Sequence, residues 1–114
     1  MSDYLTNQSS QFEGKVIIIT GSTQGSGAET AKLFSARGAK AITICGRQEN
    51  KGNQIKKEIE ELGSKCLYVK ADLSKVDDCK KIVQLTDKEF GTVHSLVNVA
   101  GYTERGTILS ATLE

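Results

Sequence analysis

The chain has 114 residues, a formal net charge of +1 and no proline. This length fits one small domain with a modest hydrophobic core. Because the charge is nearly balanced and no basic stripe is present, neither nucleic acid nor a membrane surface is expected as a partner. No apolar run reaches the roughly 18 residues of a membrane span, so no transmembrane helix is predicted.

The chain begins with a polar stretch, residues 1–13, which lacks the apolar core of a signal peptide. We expect it to be a loose leader, and we expect residues 14–114 to form one domain. The first element of that domain is a strand over Lys15 to Thr20. Its consecutive aliphatic residues are typical of a strand that is buried on both faces.

A glycine-rich turn follows this strand. Gly21, Gly25 and Gly27 allow positive φ and a close approach of a ligand to the backbone. A helix is predicted from about Ser26, a residue able to cap it, to Arg37. A strand, a glycine turn and a helix in this order direct backbone N–H groups and the positive end of the helix toward a phosphate.

The chain then repeats a β-α unit. The next predicted elements are a strand over Ala41 to Cys45, a helix from about Glu49 and a strand over Cys66 to Lys70. Gly38 and Gly63 are expected to end the first two helices. The buried face of the second helix is expected to carry its apolar residues at helical spacing, Ile55, Ile59 and Leu62.

The third helix is predicted to begin with a capping box made by Ser74 and Asp77. A fourth strand is predicted over Val93 to Asn98. This alternation predicts an α/β fold, an incomplete Rossmann-type doubly wound parallel sheet with the strand order 3-2-1-4. The core-facing residues of the third helix are expected to be Val76, Cys79, Ile82, Val83 and Phe90.

The three cysteines, Cys45, Cys66 and Cys79, lie in predicted strands or on an apolar helix face. Their odd number and their spacing fit neither a disulfide framework nor a zinc site. We therefore expect buried, reduced thiols, no metal site and a cytoplasmic protein.

Three segments resemble motifs of the short-chain dehydrogenase/reductase family. Thr20 to Gly27 is similar to its T-G-x-x-x-G-x-G turn, Ala71 to Ser74 to its short acidic turn, and Leu96 to Gly101 to its N-N-A-G stretch. The segments occur in the family's order, so the chain resembles the amino-terminal, cofactor-binding half of a family member. Ser26 and Val99 depart from the family pattern, which usually has an aliphatic residue and a second asparagine there.

The predicted strand order places a topological switch point between strands one and four, where such sheets bind ligands. Gly21 and Asn98 lie at the carboxyl ends of those strands, so two of the motifs converge on one site. The resemblance implies that a dinucleotide cofactor contacts Gly21, Ser22, Thr23, Gln24, Gly25, Ser26 and Gly27 with its phosphates and ribose, Asp72 and Leu73 with its adenine, and Asn98, Ala100 and Gly101 on its nicotinamide side. The alternative is a structural role for Asp72 as a turn residue and for Asn98 as a strand-end hydrogen-bonding residue.

The end of the second predicted strand indicates which dinucleotide is bound. An NAD-selective site places a carboxylate about 20 residues beyond the glycines, where it accepts from the ribose 2′-hydroxyl. Here Arg47 follows the strand, and the carboxylate of Glu49 is expected in the next helix. A guanidinium suits a 2′-phosphate, so NADP(H) is predicted and NAD is less favoured. The alternative is that Arg47 is a solvated loop charge.

The family transfers hydride with a tyrosine and a lysine four residues later, together with a serine and an asparagine. At that spacing the three tyrosines of this chain are followed by Gln8, Asp72 and Gly106. The catalytic half of the family is therefore expected to be missing, and no catalytic residue is predicted. His94, on the fourth predicted strand, is expected to be structural.

These observations favour the amino-terminal part of an NADP(H)-dependent oxidoreductase that acts on a carbonyl/alcohol pair. A small-molecule substrate and a homo-oligomer are expected only for a complete protein. The alternative is a short, non-catalytic product that binds nucleotide or a partner. A methyltransferase-like Rossmann domain is disfavoured, because such sites usually have an acid where Gly46 and Arg47 stand.

Overall fold

The computed structural model describes residues 12–21 and 25–98, and within them four strands form one sheet in the order β3-β2-β1-β4. Each neighbouring pair of strands is parallel. The predicted α/β fold and strand order are therefore confirmed. The strands are β1 (Val16–Thr20), β2 (Ala41–Gly46), β3 (Lys65–Lys70) and β4 (Ser95–Asn98).

The described helices are α1 (Gly25–Ala36), α2 (Glu49–Glu61) and α3 (Val76–Phe90). They cover both faces of the sheet, because successive side chains of a strand point to opposite faces. Ile17 and Ile19 pack in one apolar cluster with residues of α1 and α2, whereas Ile18 packs in a second cluster with residues of α3. Every residue of β1 is buried, as its aliphatic run predicts. No helix in this part of the chain is long and apolar enough to cross a membrane.

Glycines end the first two helices at the predicted positions. Gly38 has φ +96° and Gly63 has φ +108°. The N–H of Gly38 donates to the Ser35 carbonyl at 3.0 Å, and the N–H of Ala39 donates to the Phe34 carbonyl at 3.1 Å. This pair of bonds is a Schellman motif, which satisfies carbonyls that the end of α1 would otherwise leave without partners.

The predicted capping box of Ser74 and Asp77 is wrong. Helix α3 begins one residue later than expected, and Lys75, the residue before it, makes no side-chain capping bond. The backbone N–H and the hydroxyl of Ser74 both donate to Asp72 Oδ1, at 3.0 and 2.7 Å. Ser74 is thus held in a turn by the preceding aspartate, and its side chain is not available to the helix.

The periodic patterns also extend too far at the helix ends. Leu62 and Val76 are each 48% exposed, although both were expected on core-facing stripes. Leu62 lies just beyond the last residue of α2, and Val76 is the first residue of α3. Helix α1 begins at Gly25, so Ser26 lies inside the helix and does not occupy the cap position.

The described chain begins with contacts to the end of α1. The rings of Phe12 and Phe34 meet edge to face with centroids 4.6 Å apart. The Phe12 N–H donates to the Arg37 carbonyl at 2.9 Å, and Glu13 forms an isolated bridge with Ala39. These two residues of the expected leader therefore pack on the domain, and residues 1–11 lie outside the described part of the chain.

A buried polar contact joins α3 to the sheet. Thr86 Oγ1 lies 2.8 Å from Thr43 Oγ1 and 2.7 Å from the Ile82 carbonyl oxygen, and both threonines are fully buried. A hydroxyl carries one proton, so both contacts are satisfied when Thr86 donates to the carbonyl and accepts from Thr43. Thr86 therefore belongs to the buried face of α3, although its polarity concealed it in the sequence.

We predict that Thr86→Val destabilises the domain, because it leaves the buried Thr43 hydroxyl without this partner. The expected loss is about 1–3 kcal/mol in the free energy of unfolding, measured by urea denaturation. The double variant Thr43→Val/Thr86→Val is the control. It removes both hydroxyls and should regain most of the lost stability, so a double variant no more stable than Thr86→Val would contradict the explanation.

Candidate nucleotide-binding site

The carboxyl ends of β1 and β4 lie side by side. Thr20 is paired with Asn98 in the parallel register, and the Thr20 hydroxyl donates to Asn98 Oδ1 at 2.9 Å. Gly21 follows immediately, with φ +63°. The glycine turn thus leaves the sheet at the switch point between the two strands, where the sequence predicted a site. The hydrogen bond also gives Asn98 a structural role at this strand end.

Helix α1 begins at this same edge with Gly25. Gly25 has φ +61°, a conformation that side chains disfavour. A Cβ placed on Gly25 would meet no atom of the described residues within 4 Å. The first turn of α1 has no acidic side chain, so nothing in it opposes an anion near its N–H groups. The geometry and charge at Gly25 fit a phosphate group.

The ends of β2 and β3 supply the other side of the site. Gly46 pairs with Lys70, and the N–H of Ala71 donates to the Gly46 carbonyl at 3.0 Å. Arg47 and Asp72 are the next residues of the two segments, so they follow the same pair of strand ends. Arg47 is exposed, and its positive charge is one of the smaller causes that lower the pKa of Asp72.

Asp72 is held by hydrogen bonds on both its side chain and its backbone. The bonds from Ser74 are the main causes that hold the pKa of its carboxyl below the ordinary value. The Asp72 N–H donates to Asp78 Oδ2 at 2.7 Å. Asp78 is not among the site residues predicted from the sequence. The signal for it was an acidic residue in the first turn of α3, a position suited to nearby N–H groups.

Several predicted site residues lie outside the described residues: Ser22, Thr23, Gln24, Ala100 and Gly101. Among the others, Gly27 is buried within α1, and Ser26 lies in the first turn of that helix. Leu73 is partly buried and packs against the apolar cluster on the α3 face of the sheet. Leu73 therefore has a packing role besides any contact with a ligand.

The thiols are buried and lie outside any disulfide, as predicted. Burial raises the pKa of Cys45 and of Cys66 to about 12, and it also raises the pKa of Cys79. Such thiols are poor nucleophiles at neutral pH, because the reactive form is the thiolate. Residues 12–21 and 25–98 contain no cluster of three or more His, Cys, Asp or Glu side chains that could hold a metal ion.

His94 lies at the opposite end of β1 from the glycine turn, one residue before β4 begins. The ring Nδ1 of His94 accepts from the backbone N–H of Val16 at 2.9 Å, and the backbone N–H of His94 donates to the Val16 carbonyl at 2.9 Å. These bonds join the first residue of β1 to the segment that leads into β4. His94 therefore has a structural contact away from the candidate site.

Comparisons with known proteins support the same fold. A family model described as short chain dehydrogenase matches residues 15–114. The chain is 38% identical over 104 residues to 11-beta-hydroxysteroid dehydrogenase 1A of Arabidopsis thaliana. The matched region covers 90% of this chain and 30% of that relative. The chain thus spans under a third of that curated relative's length.

Solved structures are also similar. An NADH-dependent reductase, A1-R′, in complex with NAD matches 78% of this chain and 37% of its own, with a TM-score of 0.70 and 28% identity. A short chain dehydrogenase/reductase from Burkholderia phymatum, also in complex with NAD, matches 75% of this chain and 30% of its own, with a TM-score of 0.70 and 26% identity. Both proteins therefore bind a dinucleotide on a fold similar to this one.

We predict that Ser74→Ala raises the pKa of Asp72 toward its ordinary value, because the hydroxyl of Ser74 is the largest cause of the depression. An NMR titration of the Asp72 carboxyl carbon measures the change. Since the pKa of Asp72 is depressed in the folded state, its ionised carboxylate stabilises the fold at neutral pH. This stabilisation is lost as the pH falls through the folded-state pKa. Ser95→Ala, at an exposed position on β4, is the control, and equal pKa values in wild type and Ser74→Ala would contradict the prediction.

Proposed function

Because the chain belongs to the short chain dehydrogenase family, we propose that it is the cofactor-binding part of an NADP(H)-dependent oxidoreductase that acts on a carbonyl/alcohol pair. The observation that carries the proposal is the convergence of the strand ends. Gly21 directly follows β1, Asn98 ends the adjacent strand β4, and α1 begins at Gly25, where a Cβ would meet no described atom within 4 Å. Parallel sheets bind dinucleotides at such a switch point.

The proposed contacts follow the order of the motifs along the chain. The glycine turn and the start of α1 hold the pyrophosphate through backbone N–H groups. Asp72 and Leu73 face the adenine. Asn98 and the residues after it, Ala100 and Gly101, lie along the nicotinamide ribose. The nicotinamide supplies hydride chemistry when it is bound, and this part of the protein binds and orients it.

The proposed preference for NADP(H) depends on Arg47. It is exposed directly after β2, and no carboxylate ends that strand. Glu49 lies in the first turn of α2, where a negative charge favours the helix. The Asp72 carboxylate already experiences the charge of Arg47. A 2′-phosphate would compete with the Asp72 carboxylate for Arg47, because phosphate is a strong bidentate acceptor for a guanidinium.

The chemical step is assigned to a complete protein. Tyr68 is the tyrosine within the described residues, and its hydroxyl donates to the Gly46 carbonyl at 2.8 Å, which gives it a structural contact. We propose the small-molecule substrate, a homo-oligomer and a cytoplasmic location for the complete protein, with no nucleic acid or membrane partner.

We predict that the chain binds NADPH more tightly than NADH and that Arg47→Ala removes the difference. A hydrogen bond to a charged group contributes roughly 1.5–3 kcal/mol, so the loss of NADPH affinity should be on the order of tenfold to a hundredfold. Isothermal titration calorimetry on both variants with both dinucleotides measures it.

Lys40→Ala is the matched control for Arg47→Ala. Lys40 is exposed and immediately precedes β2, so the substitution removes one positive charge at the other end of the same strand. It should leave the ratio of the two affinities unchanged. Equal affinity of the wild-type chain for NADPH and NADH would contradict the assignment of the cofactor.

We also predict that the purified 114-residue chain shows no dehydrogenase or reductase activity, because none of its tyrosines has a lysine four residues later. The assay follows NADPH absorbance with a panel of aldehydes, ketones and alcohols. Turnover that survives purification and is abolished by a substitution within the chain would show that a proton donor is present.

A further inference from the structure

The Gly46 carbonyl accepts two hydrogen bonds from β3 and the residue after it. The N–H of Ala71 donates to it at 3.0 Å, and Tyr68 Oη donates to it at 2.8 Å. A carbonyl oxygen has two lone pairs, so both are used. This carbonyl and the N–H of Arg47 belong to the same planar peptide unit. Fixing the oxygen therefore fixes the orientation of the backbone that leads into Arg47.

The Tyr68 hydroxyl reaches this carbonyl because its ring lies against α2 at Gly52. Gly52 is buried within the helix, and a Cβ placed on it would overlap three atoms of the Tyr68 ring. Glycine inside a helix is destabilising relative to alanine, so the position has a packing reason. Tyr68 also packs against the apolar cluster shared by α1 and α2. The ring is held between this cluster and the helix backbone.

The phenol remains a donor at neutral pH. Burial, followed by the negative charge of Glu49, raises the pKa of Tyr68 above its ordinary value. The protonated hydroxyl is the form that can donate to a carbonyl. The hydroxyl that contacts the Gly46 carbonyl is therefore protonated at neutral pH.

We propose that Tyr68 is a positioning residue for cofactor selection: it holds Arg47 toward the 2′-phosphate through the Gly46 carbonyl, and Gly52 provides the space for its ring. This inference rests on the proposed preference for NADP(H). The motifs that suggested the cofactor do not include Tyr68 or Gly52. The position of the positive charge after β2 thus depends on a side chain of β3 and on a glycine of α2.

Tyr68→Phe tests the proposal, because it removes the hydroxyl and keeps the ring. Calorimetry on the 114-residue chain should show a dissociation constant for NADPH that is about three- to tenfold higher, with that for NADH unchanged. The control is Thr86→Val, which removes a buried hydroxyl on the opposite face of the sheet and should leave the ratio unchanged. The ¹⁵N heteronuclear NOE of the Arg47 amide should fall in Tyr68→Phe and stay constant in the control.

The outcomes separate this inference from the proposed function. If Arg47→Ala removes the preference and Tyr68→Phe keeps it, the positioning role alone is overturned. An equal loss of affinity for NADPH and NADH in Tyr68→Phe would also overturn the positioning role. A wild-type chain without any preference contradicts the proposed cofactor, and an unchanged Arg47 NOE in Tyr68→Phe then overturns the positioning role as well. Gly52→Ala, which displaces the ring, should reproduce the effects of Tyr68→Phe.

Discussion

Burial of β1 on both faces is the constraint on which the other elements depend. Its five side chains are at most 2% exposed, and alternate ones must enter different apolar layers. Helices therefore have to cover both sides of the sheet, and the connections between parallel strands have to cross over it. The carboxyl ends of β1 to β4 then meet at one edge. The candidate site lies at that edge as a consequence of how the apolar residues are buried.

The charged groups at this edge act on one another. Arg47 contributes a positive charge near Asp72, whose carboxyl is held by Ser74 and whose N–H is held by Asp78. The acidic turn is thus stabilised before any ligand arrives, and a preformed turn loses less conformational entropy on binding. Under the proposed preference for NADP(H), the Asp72 carboxylate and the 2′-phosphate would compete for the guanidinium of Arg47.

The parts of the fold that follow local rules could be predicted from the sequence. The aliphatic run of β1 and the glycines at positions 38 and 63 specify burial and helix ends within a few residues of themselves. The convergence of Gly21 and Asn98 followed from strand order. The capping box failed because Ser74 has a competing acceptor, Asp72, two residues away. The contacts of Tyr68 with Gly46 and of Thr86 with Thr43 join residues 22 and 43 positions apart, beyond the reach of a periodic pattern.

The buried thiols give the two layers of this sheet separate chemical reporters. Cys66 lies in the cluster beneath α1 and α2, whereas Cys45 and Cys79 lie in the cluster beneath α3. An alkylating reagent needs access to the sulfur and a thiolate. Burial in the packed layers blocks access and keeps the thiols protonated. The rate at which each cysteine is labelled therefore measures how often its own layer opens. The native chain can be followed in this way, layer by layer, without an engineered probe.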